Sequence, residues 1–335
     1  MIGFNVIQNV SDLPASWNML AANYFQQTEF LAHAGKDNPC NQRYYLCTEG
    51  EKLLAAAVVY SLRLDILTFV RLKSPVKMHI IGIPCSVSCP GIFGTKEGIQ
   101  QLKEYIFHTE KGFVLALNLD SQPDSSQYAS GKTLPTIVLR NCFPDWTTYV
   151  DALRSDYRRR MVRLLSHDNQ LIFKKLLPKD FNREMYAQYL EVHKRSKDKL
   201  EKLSFDFFQN LPGNFTLTSC SRGNTLLGWN MAVADTQTYY FFLGGVDYSS
   251  NKTWNTYLRL LARLVEDGIH SGAECIDLGQ TAEIPKMRMG GVLVPRFMEA
   301  HHSIGIFNTL LKRNSKALEY RRKPEEAHPL KEGGI

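Results

Sequence analysis

Tyr239-Tyr-Phe-Phe-Leu243, the pair Gly244-Gly245 and the polar run Asp247 to Lys252 decide how this chain folds. Five consecutive aromatic or apolar residues predict a central strand buried on both faces. Two residues without Cβ predict a break there, where a ligand or a neighbouring chain approaches the backbone. A helix is expected next, capped at Thr253, with Tyr257, Leu260, Leu261, Leu264, Val265 and Ile269 at helical spacing. Gly272 stops it, and Cys275-Ile-Asp-Leu-Gly279 makes the following strand. A strand broken by glycine and feeding a helix N-terminus is suited to receive an anionic group such as a pyrophosphate.

Around this stretch the chain has 335 residues, 44% hydrophobic and 22% charged, enough to bury the core of one large domain or two ordinary ones. No apolar run approaches the roughly 18 residues that span a bilayer, so no membrane span is expected. The start, Met1-Ile-Gly-Phe-Asn5, lacks the basic and apolar regions of a signal peptide, which predicts a cytoplasmic protein. The seven cysteines are odd in number and scattered. Cys85 and Cys89 are close in sequence, but no second Cys/His pair would complete a zinc site, so a loop and no metal are expected. Residues 1–150 carry 12 basic and 12 acidic side chains, residues 151–335 carry 28 and 21, and the whole excess of +7 lies in the second half. That polarity fits an anionic partner: coenzyme A, a nucleotide-linked precursor or tRNA.

The two halves read alike. Each has a helix with paired apolar residues (Phe30-Leu31, Phe207-Phe208) and then a hairpin. Gly50-Glu-Lys-Leu-Leu54 in the first hairpin corresponds to Gly223-Asn-Thr-Leu-Leu227 in the second. In the first half a third strand is expected near Leu67 to Leu72. Each half then has helix, glycine and buried strand: Gly112 before Phe113 to Leu117, Gly272 before Cys275 to Leu278. An ordered series of such matches predicts two copies of one α/β unit, at 1–150 and 151–335, with the probable site in the second.

Helices, hairpin, third strand, glycine break, helix and strand resemble the layout of the GNAT acyltransferase fold. Two such units, with the basic run Tyr157-Arg-Arg-Arg160 between them, resemble the Fem-related proteins, the peptidoglycan-bridge aminoacyltransferases and their relatives. The resemblance covers roughly residues 5 to 310. Lys286-Met-Arg-Met-Gly290 looks like the Phe-Lys-x-x-Phe-Gly element of that family, with Pro285 where the family has an aromatic residue. No segment corresponds to a long helical arm, so the chain looks nearer to the acyltransferase relatives than to a bridge-forming enzyme. The resemblance implies α/β units, each a mixed, largely antiparallel sheet flanked by helices. It implies an N-acyltransferase moving an acyl group from acyl-CoA to an amine by direct displacement, with no tightly bound cofactor. Two alternatives stand beside it: an aminoacyl-tRNA-dependent transfer to a cell-wall precursor, and a module that only recognises a glycopeptide or nucleotide sugar.

In that reading Lys286 sits near the oxyanion or the anionic donor, sharing a loop with Arg288 and Gly290. Asp277 or Glu283 binds or deprotonates the amine. Tyr248 returns a proton to a leaving thiolate, Asp247 lies beside the donor, and the Gly244-Gly245 break admits it. Arg158 and Arg159, with Arg160 and Arg163, are candidates for a phosphate clamp. No Ser/His/Asp or Cys/His set has a recognisable spacing, so nucleophilic hydrolysis has no support.

Overall fold

The computed structural model describes residues 1–65, 75–85, 87–123, 127–166, 170–196, 201–322, 325 and 327–331. They divide into two compact units, Met1–Pro135 with Pro295–Arg322, and Thr136–Val294 with Lys323–Ile335. The division falls at 135/136 rather than at 150, and residues 295–322 belong with the first unit.

The first unit opens with β1 (Ile2–Ile7), α1 (Ser16–Leu20), α2 (Thr28–Asp37) and the hairpin β2 (Arg43–Glu49) and β3 (Lys52–Asp65). It continues with β4 (Pro75–Ile81), β5 (Ile92–Gly94), α3 (Lys96–Thr109) and β6 (Phe113–Leu119). The strand expected near Leu67 to Leu72 lies outside the described residues. Strand order is β1-β2-β3-β4-β6, with β5 on β3, and only β4 and β6 run parallel. The 14-residue amphipathic α3, capped by the Thr95 side chain, lays Leu102, Ile106 and Phe107 on Ala55, Ala57, Val59 and Val114.

A buried polar cluster joins β2, β4 and the end of α3. Arg43 Nε donates to Glu110 Oε1 at 2.9 Å, and Tyr45 Oη donates to the same oxygen at 2.6 Å. The Arg43 guanidinium also lies 2.9 Å from His79 Nδ1. A guanidinium only donates, so that nitrogen is the acceptor of a neutral imidazole. Burial accordingly pushes the His79 pKa down.

The chain crosses to the second unit within β7 (Ala129–Arg140). There follow α4 (Trp146–Ala152), α5 (Ser155–Leu165), β8 (Ile172–Leu176), α6 (Arg183–Arg195) and α7 (Phe205–Gln209). Then come the hairpin β9 (Thr216–Arg222) and β10 (Thr225–Ala234), β11 (Thr238–Val246), α8 (Tyr248–Trp254) and α9 (Thr256–His270). The unit's last elements are β12 (Cys275–Asp277), α10 (Glu283–Met287) and the start of β13 (Val292–His302). Strand order is β7-β12-β11-β10-β9-β8, with only β11 and β12 parallel. The apolar face of α9 packs Leu261, Leu264, Val265 and Ile269 against Ile137, Leu139 and Ile276. Both hairpin turns place their glycine in the left-handed region, Gly50 at φ 59° and Gly223 at φ 55°, as the sequence correspondence implies.

The chain returns to the first unit within β13, whose later part pairs antiparallel with β6, and ends its regular structure in α11 (Gly305–Leu318). β13 carries Pro295, a residue that a central strand seldom holds. The fold is therefore mixed α/β, two units each with a largely antiparallel sheet flanked by helices.

Candidate active site

The strand expected to break at Gly244-Gly245 does not break. β11 continues to Val246, with Asn230 opposite Gly244 and Trp229 opposite Gly245. A Cβ on Gly245 would meet the Trp229 indole nitrogen at 2.4 Å and Gln188 Cβ at 2.9 Å. The glycine makes room for a buried tryptophan, whose Nε1 donates to the Met185 carbonyl at 2.9 Å. Packing, not ligand access, explains it.

The opening lies elsewhere. β12 pairs with β11 over Thr238↔Cys275, Tyr239↔Ile276 and Tyr240↔Asp277 and then ends. β11 runs on for six more residues with β10 on its other edge. The two parallel strands therefore part at Tyr240 and Asp277. The β10 register shifts there too, with Met231 opposite Leu243 and Ala232 opposite Phe241, so Phe242 is the extra residue of a bulge.

At this vertex stand three of the charged residues singled out from sequence. Asp277, buried, accepts from Thr136 Oγ1 and from the Gly279 amide, both at 2.7 Å. The turn that follows holds Gly279, Thr281 and Ala282 at positive φ (73°, 60° and 49°), a concentration of strain that points to function. It delivers Glu283 and Lys286, both buried, on α10. Lys286 Nζ donates to the Gln280 carbonyl at 2.7 Å and lies 5.3 Å from the centre of the Phe241 ring. Desolvation pulls its pKa down to about 7, against the opposing pull of Asp277 and Glu283. A loop lysine was the expectation; instead it is a buried helical amine, half neutral at neutral pH.

Arg288 and Gly290 do not join it. Arg288 ends α10 and faces solvent, and Gly290, buried at φ 94°, makes the turn beneath Leu139 and Leu330. Arg158 pairs with Asp151 at 3.6 Å and Arg159 pairs with Asp156, all of them on the surface.

Asp247 and Tyr248 lie at the other end of β11. The helix expected from Thr253 is two helices, α8 and α9, separated by Asn255 in the left-handed conformation. Asp247 caps α8 and accepts from the Ser249 amide at 2.9 Å. Burial raises its carboxyl, but bonds from Ser250 and Ser249 outweigh that and leave its pKa lowered. Seven residues separate Phe241 from Tyr248, so Tyr248 stands roughly 20 Å along the strand from the Lys286 vertex. The two cannot form one catalytic pair.

Tyr248 instead lines a cavity of about 420 Å³ with Glu191, Arg195, Asp247, Ser249, Asn251 and Lys252. The Arg195 guanidinium lies 4.2 Å from the Tyr248 ring centre, and burial holds the phenol pKa up. Sequence reasoning missed Arg195, Lys252, Phe241 and Thr136. The first two read as ordinary surface charge, and only the tertiary fold brings α6 beside α8. Among the described residues no group of three His, Cys, Asp or Glu side chains could hold a metal ion, and no helix is long and apolar enough to cross a membrane.

Residues 151–286 match the family model of an acetyltransferase (GNAT) domain. No curated protein sequence matches the chain. Among solved structures, FemX is similar with TM-score 0.57 at 8% identity, over 92% of this chain and 100% of that one. A tandem GNAT protein from the clavulanic acid biosynthesis pathway is similar with TM-score 0.52 at 9% identity, over 91% and 99%. A conserved protein of unknown function from Bacteroides thetaiotaomicron VPI-5482 is similar with TM-score 0.52 at 8% identity, over 90% and 100%. At such identities the likeness is one of fold. Residues 151–286 are thus similar to an acetyltransferase (GNAT) domain, within a chain whose fold is like that of FemX and of the tandem GNAT protein.

Proposed function

We propose that this protein transfers an acyl group from an acyl-CoA thioester to an amine, with the second unit as the catalytic one. The observation that carries this reading is the parting of β11 from β12 at Tyr240 and Asp277, with Lys286, Asp277 and Glu283 at the vertex. A strand edge released from its neighbour pairs with an extended chain bearing secondary amides. Such a donor, laid along Phe241 to Gly245, has its anionic end by Arg195 and Lys252 and its carbonyl by Lys286. The spacing of roughly 20 Å suits a long donor rather than a small one.

The amine nitrogen adds to the thioester carbonyl, a C–N bond forms, the C–S bond breaks, and the thiolate leaves to be protonated by water. Lys286, neutral above about pH 7, takes the proton that the amine loses. Asp277 and Glu283 stabilise the ammonium that results. Tyr248 and Asp247 bind and orient the donor's far end, replacing the proton-donor role expected of Tyr248. Holding both reactants at the vertex supplies much of the rate. An aminoacyl-tRNA donor has no comparable observation in its favour.

The test is release of free CoA thiol from acetyl-CoA and longer acyl-CoAs across a panel of amines. Amine-dependent release that Lys286→Met removes supports the reading. Absence of release with every donor, together with no binding of CoA, refutes it.

A further inference from the structure

The first unit carries a surface that acyl transfer in the second unit does not use. Helix α11 is seated through one side. Leu311 is buried, and Asn308 accepts from the His302 amide at 2.8 Å while its Nδ2 lies 2.9 Å from His301 Nδ1. Asn308, Leu311 and Ser315 follow the i, i+3, i+7 spacing of an inward face. The side next to it is apolar and open. Ile304 is 53% exposed, Ile306 67%, Phe307 46% and Leu310 49%. Four such residues within two helical turns make a contiguous patch, not scattered surface apolars.

The helix and the segment that follows it are basic. Between 304 and 322 the chain has Lys312, Arg313, Lys316, Arg321 and Arg322 against Glu319 alone, a net +4. All five cations are exposed, whereas Glu319 is turned inward to accept from the Lys132 amide. At 100° per residue, Ile306, Phe307 and Leu310 occupy one sector, and Lys312, Arg313 and Lys316 occupy the sector beside it. An exposed apolar strip flanked by lysine and arginine is the pattern of a helix lying in a lipid interface. Cations there meet headgroup phosphates while the aliphatic side chains enter the acyl boundary. A nucleic acid would use the charge but offers nothing to the apolar strip.

We infer that α11 docks this protein, reversibly and without crossing, onto a membrane surface rich in anionic lipid. The experiment is co-sedimentation of the full chain with phosphatidylglycerol-containing vesicles and with pure phosphatidylcholine vesicles. Binding to the first, weakened by salt and about tenfold weaker or absent on the second, is expected. Ile306→Ser with Leu310→Ser, and separately Lys312→Glu with Lys316→Glu, should each lower binding about tenfold or more. Thiol release in solution should stay unchanged in both, since neither pair touches the vertex or the cavity. Ile306→Trp on an otherwise native chain gives a second readout, a blue shift of its emission on anionic vesicles only. No sedimentation at low salt, equal binding to both vesicles, or no emission shift would overturn the inference. So would light scattering that finds a dimer broken by the Ser pair, or RNA binding indifferent to it.

Discussion

Lys286 Nζ lies 5.3 Å from the centre of the Phe241 ring, where β11 leaves its parallel partner. This places a buried, easily deprotonated amine where β11 and β12, parallel neighbours in the second unit's sheet, separate.

Lys286→Met should lower kcat/KM for amine acylation by about 10² or more, the range of a lost general base. Wild-type kcat/KM should rise with pH and level off above about 7. A rate that is level from pH 6 to 9, measured by thiol release, would remove Lys286 from that role.

The same residue makes a stability prediction. Its pKa is about 7 in the folded chain against an ordinary lysine value of 10.5, so between these values only the unfolded chain holds the proton. Stability therefore rises with pH across that window, and below about 7, where both states are protonated, the term is constant. The melting temperature of wild type relative to Lys286→Met should increase from pH 7 to pH 9. An unchanged difference would show that the amine is not depressed.

Arg195→Ala should raise KM for the acyl-CoA about tenfold and leave kcat near the wild-type value, as loss of uniform donor binding does. Tyr248→Phe should leave kcat almost unchanged, because the ring still faces Arg195. A large fall in kcat for Tyr248→Phe would restore that hydroxyl to the chemistry.

Gly245→Ala should destabilise the fold by about 1–3 kcal/mol in denaturant titration, since its methyl must displace the Trp229 indole. Gly213→Ala, where nothing lies within 4 Å, is the control and should change stability by less than about 1 kcal/mol. In the first unit, Glu110→Ala leaves Arg43 buried without its carboxylate and should cost about 3 kcal/mol.

Local signals in the sequence reached the two-unit layout and the charged vertex for identifiable reasons. The hairpin glycines have turn chemistry of their own, and Phe113 to Leu117 and Cys275 to Leu278 announce buried strands by composition. Asp277, Glu283 and Lys286 lie within ten residues of each other, so one short loop brings them together. Gly244-Gly245 misled because a glycine pair looks the same whether it ends a strand or clears space for a tryptophan sixteen residues away. Arg195 was passed over because its partner Tyr248 comes from another helix. The pairing of β13 with β6 depends on residues about 180 to 190 positions apart, which no local signal announces.

Hydrogen–deuterium exchange of the full chain with and without CoA tests most directly whether a long donor lies along β11. Protection is expected in two places at once, over Phe241 to Gly245 and over Tyr248 to Lys252, with smaller changes in the first unit. CoA binding that leaves both segments exchanging at their free rates would contradict the placement of the site.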